Sequence, residues 1–129
     1  MEISKDFDVD VVNVLPDNII RVLIKRGKEV KLEHAQNMLD WLKSNELSNL
    51  KTLILPELGA SIDHEIRDYM TSKSRIETVI ADAIVITNFA HQLVANFYLR
   101  YHKPQIPTKI FRTEQKALEW LKALRLSNY

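Results

Sequence analysis

The stretch Pro104–Leu124 reads PQIPTKIFRTEQKALEWLKAL, and its reading decides the fold class. Ile106 to Phe111 is a short, mostly apolar run with the composition of a strand. Thr113 follows at a helix-cap position. Behind it Ala117, Leu118, Leu121 and Leu124 fall on one helical stripe, with Trp120 at its edge. A strand passing through one polar cap residue into a helix marks an α/β domain closing its sheet. The last helix is then expected to cover the sheet beside its own strand, with Phe111 and Leu118 both buried.

Working outward, the same alternation of strand and helix recurs. Residues 1–6 are polar and read as loose. Phe7 to Leu15 is Val-rich and partly alternating, which predicts a strand. Leu15-Pro16-Asp17-Asn18 is a turn signature, because Pro presets one backbone angle and Asp and Asn tolerate the next. Ile19 to Lys25 is a second strand, and so short a turn joins the two as an antiparallel hairpin. From Leu32 to Asn45 the apolar spacing becomes helical, with Ala35, Met38, Leu39 and Leu42 on one face and Trp41 beside it. Leu50 to Leu55 reads as a third, buried strand. Gly59-Ala60-Ser61 is expected to open a second helix, with Ser61 as N-cap and Ile62, Ile66, Tyr69 and Met70 inward. Ile76 to Ala81 is a fourth strand, and Asp82 to Thr87 fits either strand or helix entry. A third helix is expected over Phe89 to Tyr101, burying Leu93, Val94, Phe97 and Tyr98. The predicted order is β-β-α-β-α-β-α-β-α. It describes a single α/β domain over residues 1–129, with a mixed, mostly parallel five-stranded sheet and about four helices.

Composition narrows the function class. Eighteen basic and 17 acidic side chains leave a net charge of +1, whereas polyanion binding needs a clustered basic excess. No nucleic-acid partner is expected. With no cysteine in the chain, disulfides, thiolate metal sites and a cysteine nucleophile are all excluded. The longest apolar-leaning run, Val79 to Phe89, is broken by Asp82 and Asn88 and is too short to span a bilayer. The acidic start MEISKDFDVD is unlike a signal peptide, so a cytoplasmic location is expected. The two glycines, Gly27 and Gly59, are too far apart to form a phosphate-cradling loop, and there is no nucleophile elbow.

Asp63, His64, Glu65 and Asp68 form the densest ionisable group, with His64 and Asp68 on one helix face. They lack converging ligands from elsewhere and read as a solvated face. His91 and His102 lie about 16 Å apart on a continuous helix, so they share no metal. Arg100, Tyr101, His102, Lys103 and Lys109 make a small basic, aromatic patch suited to an acidic partner or a phosphate group. No catalytic residue, metal or cofactor is assigned.

The element order and the closing IFRTEQKALEWLKAL resemble the SpoIIAA-like proteins of the STAS/SEC14-type superfamily, through Phe111, Thr113, Ala117, Leu118, Trp120 and Leu121. The stretch NFYLRYHKPQIPTKIF, Asn96 to Phe111, is similar to a branch of small bacterial members. The resemblance implies a non-enzymatic regulatory module that acts by protein–protein contact, with a homodimer as one form. It also implies a second reading, in which a small apolar ligand or lipid sits under the third helix, as on the SEC14 side of the superfamily. The candidate ligand or partner surface is Ser61, Phe97, Tyr98, Tyr101 and Trp120. Anti-sigma-factor antagonists of this family carry a phosphorylated Ser in an Asp-Ser-Ser-Gly-type turn. Here the region reads PELGASIDHE, and Ser61 stands among Glu57, Asp63 and Glu65. Like charges oppose a phosphate there, so Ser61 is read as a cap and not a phosphosite.

Overall fold

A computed structural model of the chain describes residues 3–88, 91 and 105–124. Its elements run β1 (Ile3–Asp6), β2 (Asp10–Leu15), β3 (Ile19–Ile24), β4 (Glu29–Val30), α1 (Leu32–Ser44), β5 (Leu50–Pro56), β6 (Ser61–Ile62), α2 (Ile66–Met70), α3 (Lys73–Ile76), β7 (Val79–Val85), β8 (Thr108–Phe111) and α4 (Glu114–Ala123). Six strands form the main sheet in the order β1-β2-β3-β5-β7-β8. The β1-β2-β3 meander is antiparallel, and β3, β5, β7 and β8 run parallel. A separate pair, β4 and β6, is parallel and two-stranded. Among the described residues no helix is long and apolar enough to cross a membrane.

Strand alternation sorts the core into two clusters, one on each face of the sheet. On one face, Val12, Ile20, Val22, Ile24 and Leu50 pack against Ala35 and Leu42 of α1 and Ile66 of α2. On the other face, Ile19, Leu53, Leu55, Ala81, Ala83 and Val85 pack against Ala117 and Leu121 of α4. The parallel strands therefore read as nearly continuous apolar runs, because both of their faces are covered.

Helix α4 is held at both ends. Thr113 caps it, its hydroxyl accepting from the Lys116 N–H at 3.2 Å. Glu114 in the first turn takes a two-pronged contact from Arg21 of β3, at 2.8 and 3.2 Å. At the far end the buried ammonium of Lys51, on β5, donates to the Leu121 carbonyl at 2.7 Å. An acid at the helix start and a cation at its end both complement the helix dipole.

The five expected strands are all present, with shifted ends, but the sheet has six strands because residues 3–6 are not loose. They form edge strand β1, joined to β2 by a tight turn in which the Phe7 N–H donates to the Asp10 carbonyl and Asp8 takes a positive φ of 75°. Ile76 belongs to α3, and the fourth expected strand begins at Val79 and runs through the ambiguous segment to Val85. Phe111 and Leu118 are only partly buried, at the rim of the second cluster, while Ala117 and Leu121 are fully buried. The stripe sits rotated so that its small residue meets the sheet, where Ala81 and Ala83 leave room for close approach. The third expected helix, with Leu93, Val94, Phe97 and Tyr98, lies outside the described residues apart from His91.

Leu121→Ala is expected to destabilise the protein by about 2–5 kcal/mol, the range for a fully buried leucine. Leu118→Ala should cost less, about 1–2 kcal/mol, because its burial is partial. Chemical denaturation of both variants checks the rotation: equal losses would mean that the helix docks as the sequence stripe alone predicts.

Candidate functional site

Between the sheet and helices α1 and α2 lies a narrow cavity of about 70 Å³. Its walls are mostly apolar and include Ile20, Val22, Leu39, Ile54, Ile66 and Val79. These residues meet here because even-numbered positions of β3 and β5 point to the face that α1 and α2 cover. Four polar or ionisable side chains reach the lining: Asp10, Thr52, Tyr69 and Arg75.

Two of the four are already engaged. Asp82 of β7 and Arg75 of α3 form a fully buried ion pair. The Arg75 guanidinium donates to both Asp82 oxygens, at 2.6 and 3.0 Å, and also to the Met70 carbonyl at 3.3 Å. The Thr52 hydroxyl closes the group by donating to Asp82 Oδ1. Charge-assisted, two-pronged contacts of this kind satisfy a buried carboxylate well.

Asp10 is the contrast. It is only 3% exposed, and among the described residues no group donates to its Oδ1. Burial pushes its carboxyl up from 3.8 to about 6, opposed by His34 and Lys25 and reinforced by Asp6. Both of these neighbours have other bonds. The Lys25 ammonium holds Asp6 at 2.8 and 3.0 Å, and His34 Nδ1 accepts the Lys31 N–H at the start of α1.

A second feature lies at the carboxyl ends of the parallel strands. Gly27 and Gly59, the two glycines of the chain, meet there, both at positive φ. The Gly27 N–H donates to the Leu58 carbonyl at 3.1 Å, and a Cβ on Gly59 would stand 3.5 Å from the Gly27 backbone. This contact pins the loop that presents Leu58 and Ile62, which are 57% and 50% exposed. Ile62 also lines the cavity, so the cavity wall reaches solvent at that point.

The expected surface residues do not all converge here. Ser61 is exposed and lies in β6, where its N–H donates to the Lys28 carbonyl at 2.9 Å. It is therefore not a helix cap. Helix α2 begins later, at Ile66, after Glu65, and Asp63 Oδ1 accepts the Glu65 N–H at 3.4 Å. Strand pairing with β4 wins over helix entry because β4 offers Ser61 and Ile62 backbone partners. Trp120 packs on Phe111 with ring centroids 5.5 Å apart, on the α4 side of the sheet and away from the cavity. Phe97, Tyr98 and Tyr101, and with them the pocket expected under the third helix, lie outside the described residues, as do Arg100, His102 and Lys103. His64 precedes α2 and sits 3.0 Å from Asp63, beside a shallow groove that Asp68 also lines. Among the described residues no three potential metal ligands cluster.

Sequence reading overlooked Asp10, Arg75 and the role of Asp82. A signal was present for the two acids. Each is a lone carboxylate in a Val/Ile/Ala strand at a position of core parity, where a charge is rarely buried without a purpose.

Asp10 makes pH-dependent stability predictable. Its folded-state pKa is raised, so its contribution is favourable below about pH 4 and is lost as pH climbs through 6. Asp10→Asn removes that loss. The variant is expected to be more stable than the parent by about 1–2 kcal/mol at pH 7.5, after discounting for partial solvation. At pH 4 the two should be closely matched. Urea titrations at both pH values decide this, and an advantage that does not grow with pH would refute the assignment.

In its fold the chain is SpoIIAA-like. It superimposes on the crystal structure of an uncharacterized protein from the DUF3478 family with a SpoIIAA-like fold, from Shewanella loihica PV-4, with a TM-score of 0.51 at 12% identity. The match covers 94% of this chain and 92% of that one. Among curated proteins none matches the chain. In sequence, residues 14–125 match a family described as a domain of unknown function, DUF7793. That span takes in most of the main sheet with α1 to α4, and the chain belongs to this family.

Proposed function

We propose that the protein is a non-enzymatic, STAS-like regulatory module that works by binding another protein. One observation carries the reading: Leu58 and Ile62, the large apolar side chains most exposed among the described residues, flank Ser61 on a single pinned loop. Scattered exposed leucines are ordinary. A pair on a loop fixed by a glycine–glycine contact is a preformed apolar patch, and binding to a fixed patch avoids the entropy of ordering a loop. The SpoIIAA-like fold supports a regulatory role by analogy of fold. The non-enzymatic part rests on the sequence, which has no cysteine, no phosphate-cradling glycine loop and no nucleophile elbow. Ser61 lies within the patch as part of the partner surface. Glu57 and Glu65 beside it, with Arg26 and Lys28 on the segment paired against it, give the patch a rim of both signs, which suits a partner of complementary charge about an apolar centre.

The test is a photo-crosslinker at position 58, used in the native cell, with Leu58→Ser/Ile62→Ser as the control. The expected outcome is one dominant crosslinked protein that the double variant fails to bind. Crosslinks confined to copies of the same chain would make the patch a homodimer interface. Loss of the partner on Ser61→Ala but not on the double variant would move recognition from the apolar pair to the hydroxyl.

A further inference from the structure

We propose that the cavity under α1 and α2 is a binding site for a short primary alkylamine, its tail in the apolar slot and its ammonium on the Asp10 carboxylate. This goes beyond the partner surface, since a small ligand and a protein would be held by different residues.

Three observations combine. The first is shape. A volume of about 70 Å³ compares with about 30 Å³ for one water in the liquid, which leaves room for a chain of three or four heavy atoms. The second is lining. Apart from Asp10, Thr52, Tyr69 and Arg75 the walls are apolar, which suits an apolar tail. The third is the unsatisfied acceptor. Thr52 and Arg75 are taken up by Asp82, whereas Asp10 Oδ1 is buried and receives no hydrogen bond among the described residues.

A carboxylate only accepts, so its partner must donate. A cation bonds to it more strongly than a neutral donor does, and an anion is repelled. The nearby nitrogen groups do not supply the bond: the Lys25 ammonium is held by Asp6, His34 Nδ1 is itself an acceptor from the Lys31 N–H, and Arg75 is taken up by Asp82. A divalent metal would want several oxygen ligands, and Asp10 stands without a second carboxylate in the lining. A guanidinium is itself four heavy atoms and would leave no room for an apolar tail in about 70 Å³. A primary ammonium on an ethyl or propyl tail meets all of these constraints. Ile62, half exposed at the lining, marks the way in.

The test uses the whole chain and n-propylamine, followed by heteronuclear NMR of the methyl groups of Met38, Leu39 and Ile54. Saturable shifts are expected, with a dissociation constant on the order of millimolar for so few atoms. Asp10→Asn, which should remain folded, is expected to weaken binding at least tenfold. In the parent protein n-propanol, a neutral donor of the same size, should bind at least tenfold more weakly than the amine. Equal binding of amine and alcohol, or undiminished binding by Asp10→Asn, would show a merely greasy slot and overturn the proposal. Absence of saturable shifts at the cavity methyls would overturn it as well.

Discussion

The buried pairing of Arg75 with Asp82 is the constraint on which the rest of the α1–α2 face depends. Helix α3 is four residues long, far too short to persist on its own propensity. It exists because the Arg75 guanidinium reaches the carboxylate of Asp82 in the strand that follows. Asp82 in turn receives the Thr52 hydroxyl from β5, so one carboxylate ties a helix and two neighbouring strands together. Removing a single partner from such a group leaves a charge buried and unpaired, which costs about 3–5 kcal/mol. An apolar triad of the same volume would give similar stability without direction. The ionic group adds geometry: it sets where the chain turns from α3 into β7, and so where the wall of the cavity stands.

The opposite face uses the same physics with one helix. Helix α4 has ten residues and a narrow apolar stripe, and its small residues let it lie close on Ala81 and Ala83. Close packing alone leaves rotation about the helix axis weakly specified. Arg21 at one end and Lys51 at the other remove that freedom, since both project from strands and meet α4 at opposite termini. Lys51 is itself a core-parity residue whose long stem crosses apolar ground to reach a carbonyl.

Much of this was legible in the sequence, and the failures have physical causes. The hairpin at Pro16-Asp17-Asn18, helix α1 and the capped helix α4 could be read because local chemistry and packing agree there. Asp17 and Asn18 do adopt positive φ, and Thr113 does cap. Strand β1 was missed because its side chains are those of an exposed edge, and edge strands are kept polar to discourage further pairing. Ser61 was misread because a Gly-Ala-Ser run before an acidic stretch is a good local start for a helix. The competing partner, β4, is two residues long and lies about thirty positions away, with no signal of its own. The cavity was not legible at all. Its lining comes from strands β2 to β7 and helices α1 to α3, and only the tertiary fold brings those together.

Asp10 and Asp82 show what such a juxtaposition decides. Both are aspartates in apolar strands, both point to the same face of one sheet, and both are almost wholly removed from water. Composition and strand parity do not tell them apart. Their difference lies in what is packed above them. Over Asp82 stands α3, whose Arg75 completes its bonding. Over Asp10 stands the start of α1, where His34 has been drawn into capping the helix, while Lys25 below is drawn away by Asp6. A buried acid with its partners in place is a structural joint. The same acid without them is an open acceptor beside an apolar slot, which is what a site for a cationic head requires.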